Sequence, residues 1–193
     1  MLSSSQDQPD VICFQEAFSI HVNKNIIGKT LTRYPYKVIE PIPHPPGLPL
    51  IARALQLGSG SGLCIVSKFP ILSCEAKPYG ISCGADYQAN KGYVTATLDL
   101  GSGRTATVIT THMQSDKTND PLWWFTSNPH VQSKSVKATQ LGILSEAMEK
   151  ERGREKDAGF LGVVMCGDLN VPGESVEESG AGKVRRTGEA RVG

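Results

Sequence analysis

"VVMCGDLNVPGES", residues 163–175, is the stretch whose reading decides the fold. Its first four residues, Val163 to Cys166, suit a buried strand, and they run directly into Gly167, Asp168, Leu169 and Asn170. A short apolar run bounded by turn residues reads as a strand covered on both faces. Asp168 and Asn170 then stand two apart at the lip of a sheet, which raises the question of what a pair of polar side chains does there.

Working outward, the strand is expected over Gly162 to Cys166, and a helix is expected before it. From Lys134 to Arg152 the spacing of Val136, Ala138, Leu141, Leu144, Ala147 and Met148 draws one apolar helical face. Glu146 and Lys150 form a favourable i,i+4 pair, and Gly153 is a candidate C-cap. Further upstream, "KGYVTATLDLGSGRTATVITTHMQS" reads as a hairpin: Val94 to Leu98 goes out, Gly101-Ser102-Gly103 turns, and Thr107 to Thr111 returns. It ends at His112. Gly62 to Ser67 and residues 10–16, "DVICFQE", supply two more buried strands, the latter ending at Glu16. Residues 17–40 are mixed in pattern. "PIPHPPGLP" at 41–49, five prolines in nine residues, is expected as a rigid loop. Helix before strand points to a layered α/β arrangement.

The 193 residues allow one sizeable domain, with 39% hydrophobic and 20% charged residues and a formal net charge of +1. Such a balance exerts no long-range pull on DNA or an anionic membrane. Five cysteines without CxxC spacing indicate neither a disulfide framework nor a zinc site; Cys13, Cys64 and Cys166 are expected as buried free thiols, and pairing of Cys74 with Cys83 is left open. Residues 1–10 show no secretory pattern, and no apolar run approaches the length of a membrane span. After Asn170 the chain is glycine-rich and charged, so residues 172–193 are expected to be a disordered tail, and residues 1–171 the folded domain.

Glu16, His112 and the Asp168/Asn170 pair therefore all fall at ends of expected strands, where α/β proteins place active sites. Each alone has an ordinary structural explanation as a cap, a satisfied histidine or a turn. Together they make a set suited to phosphate esters. The Glu16 carboxylate suits a hard cation such as Mg²⁺, His112 can hydrogen-bond developing negative charge, and Asp168 with Asn170 can orient an attacking water.

"DVICFQEAF", "SGLCIVSKFPI", "CGADYQANKGYVTATLDL", "THMQSD" and "GDLNV", in this order, resemble the neutral, Mg²⁺-dependent sphingomyelinases, most of all the bacterial sphingomyelinase C group of the endonuclease/exonuclease/phosphatase superfamily. The blocks span about residues 10–171. The resemblance implies a four-layer α/β sandwich of two packed mixed sheets flanked by helices, DNase I-like. It also implies cleavage of sphingomyelin to ceramide and phosphocholine by a secreted or membrane-surface protein. It places Glu16 as the metal ligand, His112 as the phosphate-contacting histidine, Asp168 and Asn170 as the pair orienting water and phosphate, and Asn90 and Lys91 in the substrate-binding stretch. A strand ending in a metal-proximal asparagine before residue 10, and an Asp-His pair supplying the general base after Asn170, are implied too. The 23 residues after Asn170 contain no histidine. The expectation is an incomplete catalytic domain, truncated at both ends. Trp123 and Trp124, in "DPLWWFTSNPH", are candidate membrane contacts. Two other functions remain open: a nuclease or inositol-phosphate phosphatase of the same superfamily, and a non-catalytic lipid- or partner-binding remnant. A nuclease calls for a basic groove, and no Lys/Arg cluster provides one before the tail.

Overall fold

The computed structural model describes residues 8–18, 27, 32–39, 60–83, 86, 89–115 and 133–170. Within them, β1 (Val11–Phe14), β2 (Tyr36–Ile39) and β3 (Cys64–Ser67) form an antiparallel sheet in the order β1-β3-β2. A second sheet has the order β4 (Ile71–Pro78), β5 (Gly92–Gly101), β6 (Arg104–His112), β7 (Phe160–Asp168). Its first two pairings are antiparallel and the β6–β7 pairing is parallel, so the sheet is mixed. Helix α1 (Ser133–Arg152) lies on the connection between the two parallel strands, which such a crossover requires.

Side-chain alternation along the strands sorts the apolar residues into three clusters. Leu63 and Ile65 from the first sheet meet Val94, Ala96, Leu98 and Val108 from the second, forming the inter-sheet core. Tyr93 and Ile109, on the opposite face of the second sheet, pack with Tyr79, Met113, and Leu144 and Ala147 of α1. Cys64 and Val66 turn to the outer face of the first sheet, against Ala17, Ile27 and Tyr34. Apolar clusters thus lie between the two sheets, between the second sheet and α1, and on the outer face of the first sheet. The α/β sandwich expected from the sequence is therefore present, with α1 as the layer outside the second sheet.

The hairpin follows the expected course but runs longer at both ends. Its loop is Ser102-Gly103, with Gly101 opposite Arg104, and both loop residues have positive φ, 56° and 71°. Such a two-residue loop needs that conformation to match the twist of the strands. The last strand likewise extends past Gly162 to Cys166, from Phe160 to Asp168. Two strands went unread. Tyr36–Ile39 lies inside the stretch of mixed pattern, and Ile71–Pro78 is an outer strand with several exposed side chains and no clean alternation.

Helix α1 starts one residue earlier than expected, but its buried face differs. Ala138 and Leu141 are exposed, while Ser133, Lys137, Gln140 and Glu151 are buried beside Val136, Leu144 and Ala147. Burial follows partners rather than hydropathy here: Gln140 accepts from the Gln114 amide at 2.8 Å and donates to the Ile81 carbonyl at 2.8 Å, and Glu151 accepts from the Thr107 hydroxyl. Lys150 pairs with Glu75 of β4 at 3.1 Å rather than with Glu146. The backbone continues past Arg152 in a 3-10 turn, Gly153–Lys156, so Gly153 is not a left-handed cap. All five cysteines are free; Cys64 is buried as expected, whereas Cys13 and Cys166 are only half-buried. The proline-rich 41–49 stretch, Trp123, Trp124 and the 172–193 tail lie outside the described residues.

Gly167, the glycine of "GDLN", has φ 149°, and a Cβ there would come within 2.2 Å of the Thr111 carbonyl oxygen on β6. Only glycine lets the two strands approach this closely. Gly167→Ala should cost more than about 2 kcal/mol of unfolding free energy. Gly142→Ala, on the open face of α1 with nothing within 4 Å of the new Cβ, should add about 0.5–1 kcal/mol. Urea unfolding midpoints of the two variants check both signs.

Candidate active site at the strand ends

Val108 faces the inter-sheet core and Ile109 the helix side, so alternation turns Thr110 and His112 toward the first sheet at the end of β6. Asp168 is the register partner of His112 on β7. Glu16 arrives from the other sheet, two residues past β1, where Gln15 crosses the interface to donate to the Thr110 hydroxyl at 2.9 Å. Three strand ends from two sheets thus meet at one point. The Glu16 carboxylate is 3.7 Å and the Asp168 carboxylate 3.9 Å from His112 Nε2.

Lys91, the residue before β5, occupies the middle of this cluster. Its side chain is 3% exposed, and its ammonium is 3.2 Å from the Asp86 carboxylate. It also donates to the Met113 carbonyl at 2.8 Å and lies 3.0 Å from His112 Nε2. An ammonium has three protons to give, and here three acceptors surround it. With Lys91 donating, Nε2 of His112 accepts and the ring proton sits on Nδ1, which is buried with no hydrogen-bond partner among the described residues. Burial, and then the Lys91 charge, hold the His112 pKa below its usual range, so the ring is neutral at neutral pH. Burial also lowers Lys91, with Asp86 opposing that shift most strongly. A histidine in this state gives Nε2–H to an anion only after gaining a proton or losing Lys91 as donor.

Asn170 is held on several sides. Its amide nitrogen donates to the Asp168 carboxylate at 2.9 Å, its side-chain Nδ2 to the Met113 carbonyl at 2.9 Å, and its own carbonyl accepts from Lys137 of α1. Both Glu16 and Asn170 have left-handed backbones, φ 57° and 51°. Such conformations are uncommon for residues other than glycine and concentrate at functional sites. Asn90 sits half-buried in the tight turn that delivers Lys91, closed by Ala89 N to Asp86 O at 3.1 Å and Lys91 N to Ala89 O at 2.7 Å. Phe18 lies against His112 with ring centroids 6.1 Å apart, in space that Gly62 leaves open: a Cβ there would fall 2.6 Å from the Phe18 ring.

The structure brings Glu16, His112, Asp168, Asn170 and Lys91 together and places Asn90 at their edge. Asp86 was not singled out in the sequence, although it belongs to the same "CGADYQANKG" stretch. Its role is legible only once burial gives Lys91 a need for a counter-charge. For a divalent cation, the described residues contain no cluster of three His, Cys, Asp or Glu ligands. A hydrated Mg²⁺ needs only one or two carboxylates, and the two-thirds-exposed Glu16 side chain, with Asp168 across His112, fits that demand.

A polar cluster where the strands of an α/β sheet end lies where such folds bind their ligands. The chain belongs to the Endonuclease/Exonuclease/phosphatase family, whose model matches residues 4–177. It is 31% identical over 174 residues to Sphingomyelinase C 2 of Leptospira interrogans, covering 87% of this chain and 25% of that one. It is 25% identical over 174 residues to Phospholipase C of Staphylococcus aureus, covering 84% and 46% respectively. A solved structure of a beta toxin mutant from Staphylococcus aureus, with bound magnesium ions, superposes with a TM-score of 0.61 at 25% identity, covering 88% of this chain and 55% of that one. The chain spans about half the length of the staphylococcal relative, and a quarter of the leptospiral one.

Removing the ammonium leaves the part-buried Asp86 carboxylate without its counter-charge and the Met113 carbonyl with one donor fewer. Lys91→Met should therefore cost about 3 kcal/mol, and Lys91→Met combined with Asp86→Asn should cost less than the sum of the single changes. In Lys91→Met the His112 ring should titrate at higher pH than in the parent, because a positive neighbour is gone. Chemical denaturation and NMR titration of the His112 ring test the two statements; additive losses, or an unmoved titration, would contradict the buried triad of contacts.

Proposed function

We propose that this chain carries the catalytic face of a divalent-metal-dependent phosphodiesterase that cleaves sphingomyelin to ceramide and phosphocholine at a membrane surface. The observation that carries the reading is the convergence of Glu16, Asp168 and Lys91 on a single nitrogen of His112. Support also comes from the relatives named as a sphingomyelinase and a phospholipase C, and from magnesium in the beta toxin structure.

In this reading Glu16 holds the cation, which when bound polarises a phosphoryl oxygen. Lys91 and His112 offer donors to the remaining phosphate oxygens, with Lys91 already charged through its pairing with Asp86. A phosphate entering the cluster competes with His112 Nε2 for a Lys91 proton, and that exchange frees the ring to take a proton of its own. Asp168, fixed by the Asn170 amide, orients the attacking water, while Asn170 and Asn90 line the phosphate's approach. Donors set in advance around developing charge are worth more than the same donors free in water, because no reorganisation is needed.

The test is phosphocholine release from sphingomyelin vesicles, with Mg²⁺ and with chelator, run beside duplex DNA and inositol phosphates as substrates. The expected result is metal-dependent release of phosphocholine that falls at least about 100-fold in His112→Ala and in Asp168→Asn. Turnover of DNA or inositol phosphate instead would assign the site to another reaction of the family. A folded chain inactive on all three would leave binding without catalysis.

A further inference from the structure

Beneath the converging strand ends lies a pair of sulfur atoms from different sheets. Cys13 is on β1, three residues before Glu16, and Cys166 is on β7, two residues before Asp168. Both pack against the inter-sheet core and their thiols contact each other beside Thr110, the register partner of Cys166; the Cys166 thiol also donates to the Ile109 carbonyl at 3.7 Å. Gln15, on the same face of β1 as Cys13, reaches the same Thr110 hydroxyl at 2.9 Å, so the close approach of the two strands has an independent anchor. Both cysteines are half-buried rather than sealed, in contrast to Cys64.

We propose that Cys13 and Cys166 are an oxidation site, a dithiol that hydrogen peroxide converts into an inter-sheet disulfide joining the strand that carries Glu16 to the strand that carries Asp168. The Cys166 thiolate attacks a peroxide oxygen, the O–O bond breaks, and hydroxide leaves to take up a proton, giving a sulfenic acid at Cys166. The Cys13 thiol then attacks the Cys166 sulfur while giving up its proton to the departing hydroxyl; the S–O bond breaks and the oxygen leaves as water. Two thiols and one peroxide become one disulfide and two waters. Two thiols in contact must close to an S–S bond of about 2.05 Å, which draws β1 toward β7. Because Glu16 and Asp168 both face His112 Nε2 from those strands, the closure shifts the carboxylates relative to each other. The effect on turnover rests on the phosphodiesterase reading; the disulfide itself does not.

The experiment takes the reduced 193-residue chain, treats it with hydrogen peroxide, blocks remaining thiols with iodoacetamide and maps tryptic peptides without reductant. The expected product links peptides 1–24 and 157–183, which hold Cys13 and Cys166, with the mass of the pair less two hydrogens. Dithiothreitol should separate them. The link should vanish in Cys13→Ser and in Cys166→Ser and persist in Cys74→Ser. Alkylated Cys13 and Cys166 after oxidation, or a link from Cys166 to Cys74 or Cys83, would overturn the proposal. In an active chain, linkage should lower phosphocholine release by about 10-fold or more, restored by dithiothreitol. A linked chain inactive in both states would sink the phosphodiesterase reading and leave the disulfide standing, and a linked chain with undiminished turnover would sink only its coupling to the site.

Discussion

A charged ammonium buried to a few per cent exposure survives only if acceptors replace the water it has lost. Lys91 meets that demand with one carboxylate, one backbone carbonyl and one imidazole nitrogen, drawn from the turn before β5, the exit of β6 and the last residue of β6. The arrangement is a structural necessity before it is a chemical device. Asp86 is itself tied down by the Ser115 amide at 2.6 Å, and Ser115 in turn accepts from the Ser133 hydroxyl at the start of α1. The helix is therefore linked to the charge cluster without contributing a charge to it.

The polar residues buried on α1 extend that linkage. Gln140 clamps the Gln114 amide to the Ile81 carbonyl, and Gln114 returns two bonds to the Cys83 backbone. The segment before the Asp86–Lys91 turn and the residues after His112 are thus sewn together by side-chain amides. Lys137 does the same for Asn170. Satisfied buried networks of this kind favour one arrangement of the chain over its neighbours, because any shift strands several polar groups at once. Through Lys137 they also support the left-handed residue at Asn170, since strain persists only where the surroundings over-determine it.

Much of the second sheet was legible because its signals are local. The Gly-Ser-Gly turn, the apolar run before "GDLN" and the helical spacing of residues 134–152 each lie within a short window. The outer strand Ile71–Pro78 was not legible, since a strand exposed along much of its length needs no apolar period. The face of α1 was misread for a related reason: spacing detects apolar burial and is blind to a glutamine or lysine buried by hydrogen bonds. Among site residues, Glu16, His112, Asp168 and Asn170 could be named because each closes a local strand pattern. Lys91 and Asn90 came only with the family likeness, and Asp86 not at all.

The sequence alone determined the alternating strands, the tight hairpin, the helix between the parallel strands and the polar residues at their ends, because neighbouring residues encode all of these. Only the tertiary structure decided that ends 95 or more residues apart meet, as Gln15 meets Thr110 and Glu16 meets His112. It also decided that Lys91 needs Asp86 and that Cys13 faces Cys166. Those pairings depend on how two twisted sheets pack over a shared apolar core, and on how deeply each group is then withdrawn from water.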